Sequence, residues 1–229
     1  MSSAMITTSA RLMNSTPQTE EQAMVRKVAV SSFLGNFIEW FDYASYSYFA
    51  TTIALVFFPT DNHTVAMLQT FGVFALSFIL RPIGALFWGS YGDKKGRKAA
   101  LAHSIMFMSG ASFLIGCLPS YSVIGVGAPI LLLLLRMVQG FSASGEYAGA
   151  ATFLGEYAPT SKRGIYCSLI PASTAIGLLA GSTLATLMTA NMNSSAMVGW
   201  GWRVPFLLAG PLGLIVLYIR AKLADSPVY

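Results

Sequence analysis

Charge is scarce in this sequence. Asp, Glu, Lys and Arg make up only 10% of its 229 residues, against about 25% in an ordinary soluble domain. That scarcity excludes a water-soluble globule. Cysteine is nearly absent too: Cys117 and Cys167 both lie within apolar stretches and match no ligand spacing. A disulfide framework or thiolate metal site is therefore excluded, and two small buried thiols are expected. No H-E-x-x-H, no phosphate-binding G-x-x-x-x-G-K-[ST] and no Ser/His pair at matching depth occurs, so an enzyme is not expected. His63 falls in an outer loop, and His103 reads as a packing or interfacial residue. The basic residues form no aromatic-bearing patch, which leaves no footing for nucleic acid.

What the chain has instead is apolar length. Hydrophobic residues are 55% of it and mean hydropathy is +0.61. A helix crosses the hydrocarbon core with about 20 apolar residues, and six segments qualify: 28–58, 65–90, 99–118, 129–156, 164–190 and 203–221. The expected organisation is a disordered tail over 1–27, a six-helix membrane bundle over 28–221, and the start of a linker over 222–229. The first apolar stretch is far longer than a signal-peptide core of 7–15 residues. Turn residues separate the segments: Pro59 to Asn62, Gly92 to Gly96, Pro119 to Tyr121, and Pro159 to Ser161.

Orientation follows from the basic residues. One side receives Arg11, Arg26, Lys27, Lys94, Lys95, Arg97, Lys98, Lys162, Arg163, Arg220 and Lys222, and the other Arg203 alone. Eleven against one predicts cytoplasmic termini. Trp200 and Trp202 read as an interfacial anchor at the outer end of the sixth span. Ser173, Gly177, Gly181 and Ala185 recur every four residues in the fifth span, a flat face for close helix packing. Gly140, Ser144 and Ala148, with Gly145 and Gly149, do the same in the fourth.

Five ionisable residues interrupt these apolar stretches: Glu39, Asp42, Arg81, Arg136 and Glu146. A charge at the centre of a membrane helix costs roughly 2.5–3.5 kcal/mol on insertion scales and is usually retained for function. Asn36, Glu39, Asp42, Tyr43 and Tyr46 follow the spacing of one helical face. Arg136, Gln139 and Glu146 share a face of the fourth span, but ~15 Å of rise separates the arginine from the glutamate. Glu39 and Asp42 lie ~16–21 Å from the basic boundary and Arg81 ~18 Å. Arg81 is therefore expected to pair with one of them near mid-membrane.

The loop Gly89-Ser90-Tyr91-Gly92-Asp93-Lys94-Lys95-Gly96-Arg97-Lys98 resembles the G-x-x-x-D-x-x-G-R-K loop between helices 2 and 3 of the major facilitator superfamily. Its glycines permit a tight turn, Asp93 could cap a helix, and Arg97 could pair with a carboxylate or helix terminus. The stretches Gly35–Asp42, Arg81–Gly84, Arg136–Ser142, Gly145–Tyr147 and Trp200–Phe206 resemble the metabolite:proton symporter family within it, from residue 27 to the end. Ser144 departs from that pattern, standing where the family usually has a glycine. The stretch from Gly145 to Pro159 is most similar to the proline/betaine osmolyte branch.

The resemblance implies an all-α membrane protein: a six-transmembrane-helix bundle, the amino-terminal half of a twelve-helix major facilitator fold. It implies proton-coupled import of a small organic solute by alternating access. A proline- or betaine-type osmolyte is favoured. A di- or tricarboxylate such as citrate or α-ketoglutarate, or a non-transporting membrane subunit, remains the alternative. Proton-coupling candidates are Glu39, Asp42 and Glu146; substrate-binding candidates are Arg81, Arg136, Gln139 and Tyr43. Gly89, Asp93, Gly96, Arg97 and Lys98 are gating candidates. No cofactor or metal is expected beyond the proton gradient. The expected partners are the solute, the lipid bilayer, and either a carboxy-terminal six-helix half or a second copy. The expected location is the bacterial inner membrane, multi-pass. An antiporter proline-glycine motif is not evident between Pro171 and Gly181, which favours symport.

Overall fold

The computed structural model describes residues 17–223, and within them the chain folds as six helical rods with no strand. The first rod is α1 (Pro17–Tyr48) followed by α2 (Ala50–Phe57). The second is α3 (His63–Ile79) and α4 (Arg81–Lys95), jointed at Leu80. The third is α5 (Arg97–Cys117). After one turn, α6 (Tyr121–Ile124), the fourth rod is α7 (Gly127–Ala143) and α8 (Glu146–Tyr157). The fifth is α9 (Arg163–Cys167) and α10 (Leu169–Asn191); the sixth is α11 (Ser194–Gly199) and α12 (Val204–Ala221).

Five rods are long and apolar enough to cross a membrane: His63–Lys95, Arg97–Cys117, Gly127–Tyr157, Thr160–Asn191 and Gly201–Ala221. The first rod differs in composition because it carries Ser31, Ser32, Asn36, Glu39, Asp42 and Ser45. All six of these residues are buried. Its polar atoms face the neighbouring rods, so average hydropathy undervalues it.

The first helix starts well before the expected Val28. Residues 17–27, read from sequence as tail, are helical. Pro17 suits the first helical position, and the following Glu, Gln, Ala and Met are good helix formers. Val25 and Val28 then anchor this extension, Val28 in a cluster with Phe153, Leu154 and Leu223. Residues 1–16, including Arg11, and 224–229 lie outside the described residues.

Small residues set the packing. Ser173, Gly177, Gly181 and Ala185 of α10 are all buried, and the two glycines meet the backbone of α1. A Cβ on Gly177 would lie 2.7 Å from the Phe37 carbonyl oxygen, and one on Gly181 2.6 Å from Ala44 Cβ. The fourth rod meets the second in the same manner: Gly140 abuts the Ser77 carbonyl and Gly84 the Phe141 carbonyl. Thus the first rod packs on the fifth as the fourth packs on the second. Close backbone approach replaces the hydrophobic drive that lipid cannot supply.

Two aromatic and thiol expectations need correction. Trp202 is fully buried against Phe57 and Phe206, and only Trp200, 57% exposed, sits at the surface. Trp202 lies in the turn entering α12 and fills the core at that end. Cys117 is exposed and Cys167 half-buried, not enclosed. Cys117 is the last residue of α5, on its outward side, between the buried Gly116 and Leu118.

Candidate functional site: three buried ion pairs along one helix face

The face of α1 that carries charge runs Ser31, Gly35, Glu39, Asp42, Tyr46, spaced by four, four, three and four residues. At this spacing every position looks the same way. Three ion pairs stack along it, each with its arginine from a different rod.

Nearest the basic end is a pair that sequence reasoning missed. Arg220 of α12 grips both carboxylate oxygens of Glu146, with Nη1 3.1 Å from Oε2 and Nη2 on Oε1. Ser104 donates to the same Oε2 at 3.1 Å, and Arg220 Nε donates to Ser31 Oγ at 3.1 Å. Both ionic side chains are essentially inaccessible. Gly35 is the position on α1 that faces them, and a Cβ there would collide with both head groups. By sequence, Arg220 counts among the basic residues that set topology. Its signal was present, since Phe206, Ala209, Gly213, Val216 and Arg220 form one buried stripe of α12.

In the middle, Arg81 Nη2 donates to Glu39 Oε1 and to the Tyr43 hydroxyl. This is the pairing that matched depths lead one to expect. Glu39 is buried, whereas Arg81 is 27% exposed. The second carboxylate oxygen of Glu39 has no hydrogen-bond partner. The arginine is the first residue of α4, directly after the joint at Leu80, which turns it toward α1. Its guanidinium also lies over the rings of Tyr43 (5.1 Å) and Phe78 (4.9 Å).

Farthest from the basic end, Arg136 Nη1 donates to Asp42 Oδ2 at 2.8 Å. Ser112 and Gln139 donate to Asp42 Oδ1 at 2.9 and 3.1 Å. The Arg136 guanidinium sits 3.7 Å from the centre of the Tyr46 ring. Arg136 has no accessible surface at all and Gln139 almost none. Arg136 and Glu146 do not pair, as their separation along the fourth rod requires; each has its own partner.

Asn36 turns away from the ion pairs, toward α10. Its Nδ2 reaches Ile170 O at 3.0 Å and Ser173 Oγ at 2.8 Å, tying α1 to α10. One residue beyond Gly35 on the helix, it is rotated off the charged face.

At the basic end, Gly96 takes φ 94 between α4 and α5, a left-handed conformation only glycine adopts without strain. Arg97 Nε donates to Glu156 Oε1 at 3.0 Å, and Lys98 Nζ to the Ala221 carbonyl at 3.1 Å. The third rod thus touches the ends of the fourth and sixth. Asp93 does not cap α5: it lies inside α4, and the capping residue is Gly96, with no side-chain bond. Gly92 is buried, and nothing lies near the Cβ direction of Gly89.

Electrostatically, the site is three carboxylates each paired with an arginine, two pairs inaccessible and one open on its arginine side. Removing one partner of such a pair typically costs 3–5 kcal/mol, so none can change partners without a compensating charge. Of the two arginines singled out for a solute anion, only Arg81 has surface to offer one. Among the described residues, no group of three His, Cys, Asp or Glu could hold a metal ion.

The family model described as sugar (and other) transporter matches residues 27–229 of the chain. The glycine betaine/proline/ectoine/pipecolic acid transporter OusA of Dickeya dadantii is 43% identical over 209 residues, covering 91% of this chain and 42% of that protein. The proline/betaine transporter of Escherichia coli K12 is 41% identical over the same shares. A putative proline/betaine transporter of Staphylococcus aureus is 43% identical over 89% of this chain and 44% of its own length. The chain therefore spans less than half the length of the curated relatives it matches. Among solved structures, the proton:xylose symporter XylE bound to 6-bromo-6-deoxy-D-glucose superposes with a TM-score of 0.80. It is 16% identical, over 90% of this chain and 46% of that one. The inward-open xylose transporter XylE from E. coli gives 0.77 at 17% identity, over 90% and 49%. Both are likenesses of fold.

Proposed function

Because this chain belongs to the sugar (and other) transporter family, within the major facilitator superfamily, we propose that it forms one six-helix half of a proton-coupled carrier. Its solute is a small zwitterion of the proline or betaine kind, imported by alternating access. The names of the relatives support that solute class. A second six-helix half, or a second copy of this chain, completes the cavity between halves. The carrier lies in the bacterial inner membrane, with the basic end and both termini in the cytoplasm.

One observation carries the reading: Arg81 reaches the surface while its partner Glu39 is sealed behind it, with one carboxylate oxygen uncommitted. A solute carboxylate arriving at Arg81 competes for the guanidinium. A lone buried carboxylate costs several kcal/mol, so the Glu39 left behind takes up a proton. Solute binding and protonation are thereby linked. Asp42 and Glu146 are held on both oxygens; they act as fixed counter-charges that position Arg136 and Arg220. Of the substrate candidates, Arg81 and Tyr43 face the solute, and Arg136 and Gln139 shape the bundle behind them. Gly96, Arg97 and Lys98 work at the basic end, where the rods converge.

The test is uptake into proteoliposomes under an imposed inward proton gradient, with labelled proline, glycine betaine and citrate. The chain is reconstituted alone and together with the carboxy-terminal half of the E. coli proline/betaine transporter, that half alone serving as the blank. Gradient-dependent accumulation of proline or betaine is expected. Accumulation of citrate only would replace the solute class, and no gradient-dependent uptake in either preparation would remove the symport reading.

A further inference from the structure

Arg81 accounts for a solute's carboxylate but leaves its positive group without a partner. Its carboxylate partner, Glu39, is already committed to the arginine and is inaccessible. The remaining surroundings are aromatic. Trp40 and Tyr43 meet edge-to-face at 5.7 Å and Phe78 and Phe74 at 5.1 Å; Tyr43 and Phe78 are tilted at 5.6 Å, and Phe74 and Tyr46 stack at 5.4 Å. This is a continuous strip of rings. A guanidinium rests on each half of it: Arg81 on Tyr43 and Phe78, and Arg136 on Tyr46 and Phe74. The Arg136 end is sealed. The Arg81 end is open at Phe78, 39% exposed, and at Arg81, which covers the buried ring of Tyr43.

Ring faces attract cations through the quadrupole, most of all weakly hydrated, delocalised ones. A guanidinium is such a cation, and so is a tetraalkylammonium. Building on the carrier reading above, we propose that the faces of Tyr43 and Phe78, with Trp40 at their edge, are the subsite for the solute's ammonium group. The ammonium takes the position from which Arg81 withdraws to hold the carboxylate. The charges balance. A neutral Glu39–Arg81 pair plus a neutral zwitterion plus one proton gives a carboxylate on Arg81, a protonated Glu39 and a cation on the rings. The net gain is the one positive charge that the proton brings. A dicarboxylate has nothing to place on these rings, so the same wall sets selectivity between the two solute classes.

Equilibrium binding to the chain in lipid nanodiscs, with and without the carboxy-terminal half named above, tests this. The probes are tritiated glycine betaine and 3,3-dimethylbutanoate, in which a neutral carbon replaces the quaternary nitrogen at the same shape. Betaine should bind about 3- to 30-fold more tightly. Phe78→Leu should remove that preference, and Phe78→Tyr should keep it. Equal binding of the two probes, or a Phe78→Leu loss shared equally by both, overturns the subsite while leaving the carrier reading in place. Binding of neither probe by the unsubstituted chain, in either preparation, sinks the carrier reading itself.

Discussion

Arg220 of the sixth rod closes on Glu146 of the fourth across 74 residues of sequence, and the two meet directly against Gly35 of the first. Three rods are therefore joined through one buried charge pair and the absence of one side chain. Ser104 adds the third rod to the junction. The cost of each possible disruption can be ordered from this geometry.

Arg220→Ala should be the most damaging single change at this junction. It leaves Glu146 charged, buried and held by one hydroxyl, which typically costs 3–5 kcal/mol. Thermal unfolding of the purified chain in detergent should show a large drop in the midpoint. Adding Glu146→Gln to Arg220→Ala should recover part of the loss, and a double-mutant cycle of these two changes that shows no coupling would refute the pair's importance.

Gly35→Ala inserts a methyl group where Glu146 and Arg220 already sit. Overpacking of this kind costs about 1–3 kcal/mol. Gly110→Ala in α5 is the control, because nothing lies within 4 Å of a Cβ there. Alanine should be neutral or stabilising at that helical position by up to about 1 kcal/mol. Equal behaviour of the two variants in the same unfolding assay would contradict the packing described.

Glu39→Gln should uncouple the proposed carrier. A neutral side chain no longer takes up a proton when Arg81 turns to the solute. Gradient-driven accumulation should disappear, while solute exchange across proteoliposomes without a gradient persists. Accumulation that survives at the unsubstituted level would shift proton coupling to another acid.

Arg97→Ala should behave differently from any of these. Its pair with Glu156 is one-third exposed on the arginine side, and such pairs contribute roughly 0–1 kcal/mol. The unfolding midpoint should move little. If the basic end acts as a gate, the turnover of uptake should fall with solute affinity unchanged. A large loss of stability would mean that the pair is structural.

Much of this was readable along the chain. The four-residue recurrence of Ser173, Gly177, Gly181 and Ala185 announces a packing face, and all four are buried. Matched depth put Arg81 within reach of Glu39, and their hydrogen bond follows. The position of Gly96 in its loop marked a turn, and its backbone is left-handed there. These features depend on local periodicity, rise per residue and the freedom of glycine, which are properties of short segments.

What the sequence alone determined is a helical membrane architecture, one polar face on the first helix, and the family to which both belong. Tertiary structure decided the partnerships. It took Arg220 from the basic boundary into the interior and turned Asn36 toward α10. It also buried Trp202 while leaving Trp200 outside, and split three carboxylates into one accessible pair and two sealed ones. The physical reason is that a charge in lipid must find its counter-charge wherever the packed rods bring one. That depends on how the rods rotate and meet, which no single segment encodes.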